Sequence, residues 1–127
     1  MSGGPELLPL VLLVEDNEAI RNAFSILLGE SGYRVLEAAS GAAAMETATS
    51  RRPDLILLDL GLPDMGGLEV ARTLRAREET RDTPIVALTG RALETDQEAC
   101  FAAGCTGYLT KPIDTEQLLR VLPTYLK

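Results

Sequence analysis

At 127 residues, 46% of them hydrophobic, the chain is long enough for one domain with a buried core and is neither a disordered tail nor a fibrous repeat. Its 12 basic and 19 acidic residues give a formal charge of −7, which repels phosphate backbones and argues against direct nucleic-acid binding. Two cysteines, Cys100 and Cys105, with no histidine, offer no zinc site; two reduced, partly buried thiols in a cytoplasmic protein are the expectation.

Met1 to Pro5 reads as a leader, and residues 1–9 are set apart from a single domain over 10–127. The apolar run Leu7 to Val14, interrupted by Pro9, is too short to span a membrane and lacks the basic flank of a signal peptide. Leu10 to Val14 is the first strand. Glu18 to Glu30 then places Ile20, Phe24, Leu27 and Leu28 on one helical stripe, with Gly32 as a stop. Arg34 to Ala38 is a weaker strand. Ser40 caps a helix running to about Arg51 and ended by Pro53. Asp54 to Leu58 is a nearly all-apolar strand. The next helix, Gly67 to about Arg77, turns Leu68, Ala71 and Leu74 inward. Pro84 to Leu88 is the fourth strand. Thr95 with Glu98 reads as a capping box, and Gly104 ends that helix. Gly107 to Leu109 is the last strand, and Asp114 with Gln117 opens a last helix that Pro123 is expected to distort or end.

Strand and helix thus alternate five times. Strands apolar on successive residues are buried on both faces, so the pattern is a doubly wound α/β fold: a five-stranded parallel sheet with helices on both sides. Periodicity leaves two common strand orders open. Either way, ligands bind outside the carboxyl ends of the strands.

At those ends stand Glu15 and Asp16 after the first run, Asp59 after the third, Thr89 and Gly90 after the fourth, and Thr110, Lys111 and Pro112 after the fifth. Three converging carboxylates repel one another and stay ionised only beside a compensating cation. Oxygen ligands without His or Cys suit a hard metal, and a few carboxylates plus water suit Mg²⁺. Lys111 adds a fixed positive charge and Thr89 a hydroxyl donor. Such a set neutralises the charge of a transferring phosphoryl group, and a carboxylate can be its nucleophile. Taken singly, each residue has a bland reading: Asp16 or Asp59 as a cap or turn former, Glu15 as a solvated acid, Thr89 and Lys111-Pro112 as strand-end residues. Their occurrence together is what argues for a site.

The stretches Leu12-Leu-Val-Glu-Asp-Asn17, Pro53 through Gly67, Ala87-Leu-Thr-Gly90 and Ala103 through Pro112 resemble the response-regulator receiver domains of two-component phosphorelay signal transduction, chemotaxis regulators among them. The resemblance spans about Leu10 to Leu126. It implies a flavodoxin-like strand order 2-1-3-4-5. Asp59 then matches the phosphoacceptor, Glu15 and Asp16 the acidic pair holding Mg²⁺, and Gly61 the residue whose backbone carbonyl binds the metal. Thr89 and Lys111 match the switch hydroxyl and the phosphate-pairing lysine, and Tyr108 the aromatic switch. The implied partner is a histidine kinase or histidine phosphotransfer protein. The response surface is the fourth helix, last strand and last helix, roughly Glu94 to Leu126, read by a downstream protein effector. A cytoplasmic monomer or weak dimer is expected.

Two departures stand out. Gly66 replaces an acid common in the family. Neither Gly61 nor Arg91 offers a carboxylate or amide to orient an attacking water, so a long-lived phospho-form is expected. A phosphatase with an aspartyl nucleophile usually has a second Asp two positions on, where this chain has Gly61. The expectation is therefore a switch rather than a turnover enzyme, stand-alone in preference to a receiver excised from a hybrid histidine kinase or an unphosphorylated interaction module.

Overall fold

The computed structural model describes residues 8–90 and 94–126, the side chains of 94–96 excepted. The chain runs β1 (Leu10–Val14), α1 (Glu18–Glu30), β2 (Arg34–Ala38), α2 (Gly41–Arg51), β3 (Leu55–Asp59), α3 (Gly67–Ala76), β4 (Ile85–Thr89), α4 (Glu94–Ala102), β5 (Gly107–Thr110) and α5 (Thr115–Tyr125). All five strands are parallel, in the order β2-β1-β3-β4-β5. This is the flavodoxin-like order that the family resemblance implies.

Every residue of β1, β3 and β4 is buried, whereas the edge strands β2 and β5 are partly exposed. The period of two along each strand divides the core. Leu12, Val14, Ile56, Leu58, Ile85 and Ala87 pack with Ala44, Ala48, Val70, Ala71 and Leu74 under α2 and α3. Val11, Leu13, Leu55, Leu57, Val86 and Leu88 pack with Leu28, Leu118 and Leu122 under α1 and α5. Each large aliphatic so buried contributes roughly 1.5–3 kcal/mol relative to exposure.

Helix ends follow the capping chemistry. The side chains of Asn17, Ser40 and Asp114 accept backbone N–H bonds at the starts of α1, α2 and α5. Gly32 and Gly104 take positive φ after α1 and α4, a region closed to most side chains. Among the described residues, no helix is long and apolar enough to cross a membrane.

Several expectations are corrected. Pro123 does not end α5, which continues to Tyr125: the missing N–H costs one bond in the final turn, while Leu118 and Leu122 remain buried. The third and fourth strands lie one residue later than their apolar runs suggest, so Asp59 and Thr89 are the last residues of β3 and β4 rather than the first beyond them. Asp54 instead precedes β3, its carboxylate accepting the Leu10 N–H at 2.8 Å. Ile20 shares the helical stripe of α1 but is 40% exposed, lining an open groove with Phe24, Pro112 and Ile113. α4 begins at Glu94, so Thr95 lies inside it rather than at its cap, and its side chain is outside the described residues, as are residues 1–7 of the leader. Leu8 and Pro9, also assigned to the leader, accept bonds from Arg34 through their backbone carbonyls.

Candidate functional site

β1 delivers two acids at its carboxyl end. The Glu15 N–H bonds the Ala38 carbonyl at 3.0 Å, and Arg21 donates to the Glu15 carbonyl at 2.8 Å. The Asn17 N–H reaches back to Glu15 Oε2 at 3.1 Å, while Asn17 Oδ1 caps α1 by accepting the Ile20 N–H at 2.9 Å. The turn therefore fixes Glu15 inward, 2% exposed, and leaves Asp16 in solvent.

β3 brings Asp59 alongside, its side chain 4% exposed. Its Oδ1 accepts two bonds, from the Gly61 N–H at 3.1 Å and from Lys111 Nζ at 2.9 Å. Lys111 is placed by the adjacent ladder, since its own N–H bonds the Thr89 carbonyl at 2.7 Å. Thr89 is buried, and with Asp59, Leu60, Gly61, Gly90 and Lys111 it lines a cleft of about 430 Å³.

The charges in this cleft do not balance by themselves. Carboxylate oxygens of Glu15, Asp16 and Asp59 all lie within 4.8 Å of one another. Among the described residues, Lys111 is the cation paired with them. Three negative charges against one positive leave two in excess. Glu15 Oε1 is buried with no hydrogen bond, its distance of 3.9 Å to Lys111 Nζ being too long for one. Burial pushes the Glu15 carboxyl above the ordinary carboxylate range; the Asn17 N–H opposes that shift, the Asp59 charge adds to it and Lys111 opposes it again. An orphaned buried oxygen among hard oxygen donors with two surplus charges fits a divalent cation such as Mg²⁺.

The response regulator receiver domain model matches residues 11–123, nearly the whole chain. The chain belongs to the response-regulator receiver domain family.

Its relatives include the polar-differentiation response regulator DivK of Brucella ovis, 39% identical over 116 residues that cover 91% of this receiver domain and 94% of that protein. The chemotaxis protein CheY4 of Vibrio cholerae has the same fold, with a TM-score of 0.89 at 35% identity over 94% of this chain and 99% of that one. A third is the receiver domain of the sensor histidine kinase PA1611 of Pseudomonas aeruginosa, solved with a magnesium ion coordinated in its active-site cleft. It is 39% identical, with a TM-score of 0.86 over 94% of this chain and 98% of that one.

The remaining positions singled out in the sequence are Gly61, Tyr108 and Arg91, of which Gly61, directly after Leu60, lines the receiver cleft. Tyr108, half-buried on β5, meets the exposed Phe101 of α4 edge to face, ring centroids 6.0 Å apart at 76°. Arg91 lies outside the described residues. Beside the cleft, Glu15 and Lys111 share a second, apolar groove with Ile20, Phe24, Pro112 and Ile113. Sequence reasoning missed two groups. Asn17 and Arg21 hold the Glu15 turn, and an Asn just before a helix was the available signal. Asp64, in the segment after β3, bonds the start of α2 across more than twenty residues, a contact with no periodic signature.

Proposed function

We propose that the protein is a cytoplasmic, phosphorylation-activated switch in which Asp59 accepts one phosphoryl group from a phosphohistidine partner, a histidine kinase or histidine phosphotransfer protein. The observation that carries this reading is the buried Asp59 carboxylate, paired at 2.9 Å with Lys111 inside a cluster of acids with surplus negative charge. Glu15, Asp16, Asp59 and the Gly61 backbone carbonyl would hold Mg²⁺, which supplies charge neutralisation for the transferring group.

The chain's own residues do the rest. Both described bonds to Asp59 use Oδ1, so Oδ2 is the oxygen spent on neither. It attacks phosphorus as the donor's P–N bond breaks, and the product is an aspartyl-phosphate. Lys111 moves its contact from the carboxylate to a phosphoryl oxygen. Thr89 donates its hydroxyl to another, and Tyr108 follows into the space that Thr89 leaves. Such a shift selects a pre-existing state, and the surface it alters is α4, β5 and α5, to which a protein effector binds. The apolar groove of Ile20, Phe24, Pro112 and Ile113 shares Lys111 and Glu15 with the cleft, and a donor protein reaching Asp59 would cover it. Gly61 brings no side chain to activate water, which supports a long-lived phospho-form.

Similarity along 94% of DivK supports a regulator made of a receiver alone, which we favour. Equal identity to the PA1611 receiver supports a domain of a hybrid kinase, the second reading.

Incubation with a small phosphodonor and Mg²⁺, followed by intact-mass measurement, tests the assignment. One phosphoryl adduct is expected on the wild type and none on Asp59→Asn. No adduct on the wild type, or an undiminished one on the variant, overturns it.

A further inference from the structure

We propose that Asp64 is a positioning residue for phosphoryl transfer: by clamping the segment after β3 to the first turn of α2, it sets the Gly61 carbonyl and Asp59 for the metal. The inference rests on the reading of Asp59 as acceptor and deepens it.

Residues 60–66 leave β3 and enter α3. Their near side is tied down locally. The Leu60 N–H bonds the Leu88 carbonyl at 3.1 Å, the Gly61 N–H bonds Asp59 Oδ1 at 3.1 Å, and the Gly67 N–H bonds the Leu60 carbonyl at 3.3 Å. Their far side is held by Asp64. Its Oδ1 accepts the Gly41 N–H at 2.9 Å and its Oδ2 the Ala42 N–H at 3.1 Å. Ser40 supplies the other two acceptors of that helix start, Oγ for the Ala43 N–H and the carbonyl for the Ala44 N–H. The N–H groups of Gly41, Ala42 and Ala43, which have no partner within the helix, are thus all satisfied, two of them by a carboxylate from a different loop. Gly41 makes the approach possible, because a Cβ there would run into the side chain of Met65.

This arrangement exceeds what capping requires. Ser40 and water would satisfy an exposed helix start, yet a two-oxygen clamp is built onto the loop that carries a proposed metal ligand. Bonds from a charged group to two backbone N–H donors are short and directional, so they fix position as well as adding stability. Only Leu62 and Pro63 separate Asp64 from Gly61. A shift there of a fraction of an ångström misaligns the carbonyl relative to Glu15 and Asp16, and groups that orient metal ligands carry large effects on affinity.

The test compares wild type, Asp64→Ala, Asp64→Asn and Ser40→Ala by calorimetric titration with Mg²⁺, phosphorylation rate from acetyl phosphate, and melting temperature. Ser40→Ala weakens the same helix start without touching the loop. The expected result is Mg²⁺ affinity lowered on the order of tenfold in Asp64→Ala, with phosphorylation slowed in step. Asp64→Asn, which keeps one acceptor, should fall between Asp64→Ala and wild type. Ser40→Ala should melt earlier yet keep its Mg²⁺ affinity within about twofold. Should Asp64→Ala fail to fold, the comparison of Asp64→Asn with Ser40→Ala decides. The proposal is overturned if the Asp64 variants only melt earlier, or if Ser40→Ala loses as much Mg²⁺ affinity as they do. A wild type that neither binds Mg²⁺ nor takes up phosphate sinks the acceptor reading, and this inference with it; a normal wild type beside indifferent Asp64 variants sinks the inference alone.

Discussion

Lys111 Nζ lies 2.9 Å from Asp59 Oδ1 and 3.9 Å from Glu15 Oε1, so a single ammonium, one-third exposed, faces two buried carboxylates. Without metal, removal of either member has opposite consequences. Lys111→Met leaves two buried acids against each other and should destabilise the metal-free fold by about 1.5–3 kcal/mol, the range for a hydrogen bond to a charged group. Asp59→Asn removes one of the repelling charges and should leave the metal-free fold as stable or more so. Urea unfolding in the presence of a chelator measures both; equal destabilisation by the two substitutions would contradict the charge argument.

The surplus negative charge also predicts a response to metal. A ligand that binds the folded state alone stabilises it by about 2.7 kcal/mol at a hundred times its dissociation constant. For a domain of this size that raises the melting temperature by about 10 °C. The wild type should show such a rise with MgCl₂ and little with NaCl at equal ionic strength. Asp59→Asn, lacking one of the three clustered acids, should show much less. A melting curve blind to Mg²⁺ would remove the basis for the metal site.

Much of this arrangement was legible before any coordinates. Five apolar runs alternating with five periodic helical stretches dictate a parallel sheet, and a parallel sheet dictates which ends carry the ligand. Glu15, Asp16, Asp59, Thr89 and Lys111 could therefore be placed together from their positions after those runs. The one-residue displacement of β3 and β4 escaped notice because hydrophobicity ends before hydrogen bonding does. Asp59 is polar, yet it still pairs with Leu88 in the ladder. Asp54 is adjacent to the run but bonds Leu10 from just outside it.

What stayed hidden was long-range or irregular. Asp64 looks like any acid in a Pro-Asp turn until α2 is seen to start within its reach. Ile20 has the right helical phase yet lines an open groove and stays 40% exposed, since phase alone supplies no neighbour to cover it. Pro123 breaks a local rule that packing of Leu118 and Leu122 outweighs in the last turn.

The Asp64 clamp carries a pH signature. The Gly41 and Ala42 N–H groups hold its carboxyl below its ordinary value of 3.8. A carboxyl with a lowered folded-state pKa stabilises the fold above its unfolded value, and that contribution fades as pH falls through the folded one. The stability gap between wild type and Asp64→Asn should therefore be constant from about pH 7 to pH 5 and close only below the unfolded carboxylate range. Denaturant midpoints across that interval test it. A gap already closing between those two values would assign it to another group.

Two neighbouring glycines should behave oppositely. A Cβ on Gly67 would sit 2.6 Å from Leu60 Cα and 3.0 Å from the Asp59 carbonyl oxygen, backbone atoms that cannot step aside. Gly67→Ala should cost about 1–3 kcal/mol and slow phosphorylation, because the strain falls on the residue joined to Asp59. Gly66 has φ −66° and open space around its missing Cβ. Gly66→Ala should be neutral or stabilising by up to about 1 kcal/mol through the unfolded chain. Chemical denaturation with a phosphorylation time course on both variants checks the contrast, and equal behaviour would place the crowding elsewhere.

Cys100 and Cys105 close the end of α4. The Cys105 N–H bonds the Cys100 carbonyl and the Gly104 N–H bonds the Phe101 carbonyl, both at 3.0 Å, with Gly104 at φ 103° between them. In this motif the two flanking side chains usually make an apolar contact, and here both are buried thiols. Burial, with Cys100 beside it, pushes the Cys105 thiol up to about 12, against which Arg75 pulls only weakly. At pH 8 about one Cys105 in ten thousand would then be thiolate, the form that reacts. Iodoacetamide should leave the folded protein unlabelled over hours and modify both cysteines rapidly in denaturant. Rapid labelling of the native protein would mean that the end of α4 opens far more readily than this packing allows. Cys105→Ser, which puts a hydroxyl where an apolar contact belongs, should cost about 1–3 kcal/mol. Because that clasp anchors the helix carrying Phe101 against Tyr108, the same variant should also loosen the proposed response surface, read as faster amide exchange across residues 97–108.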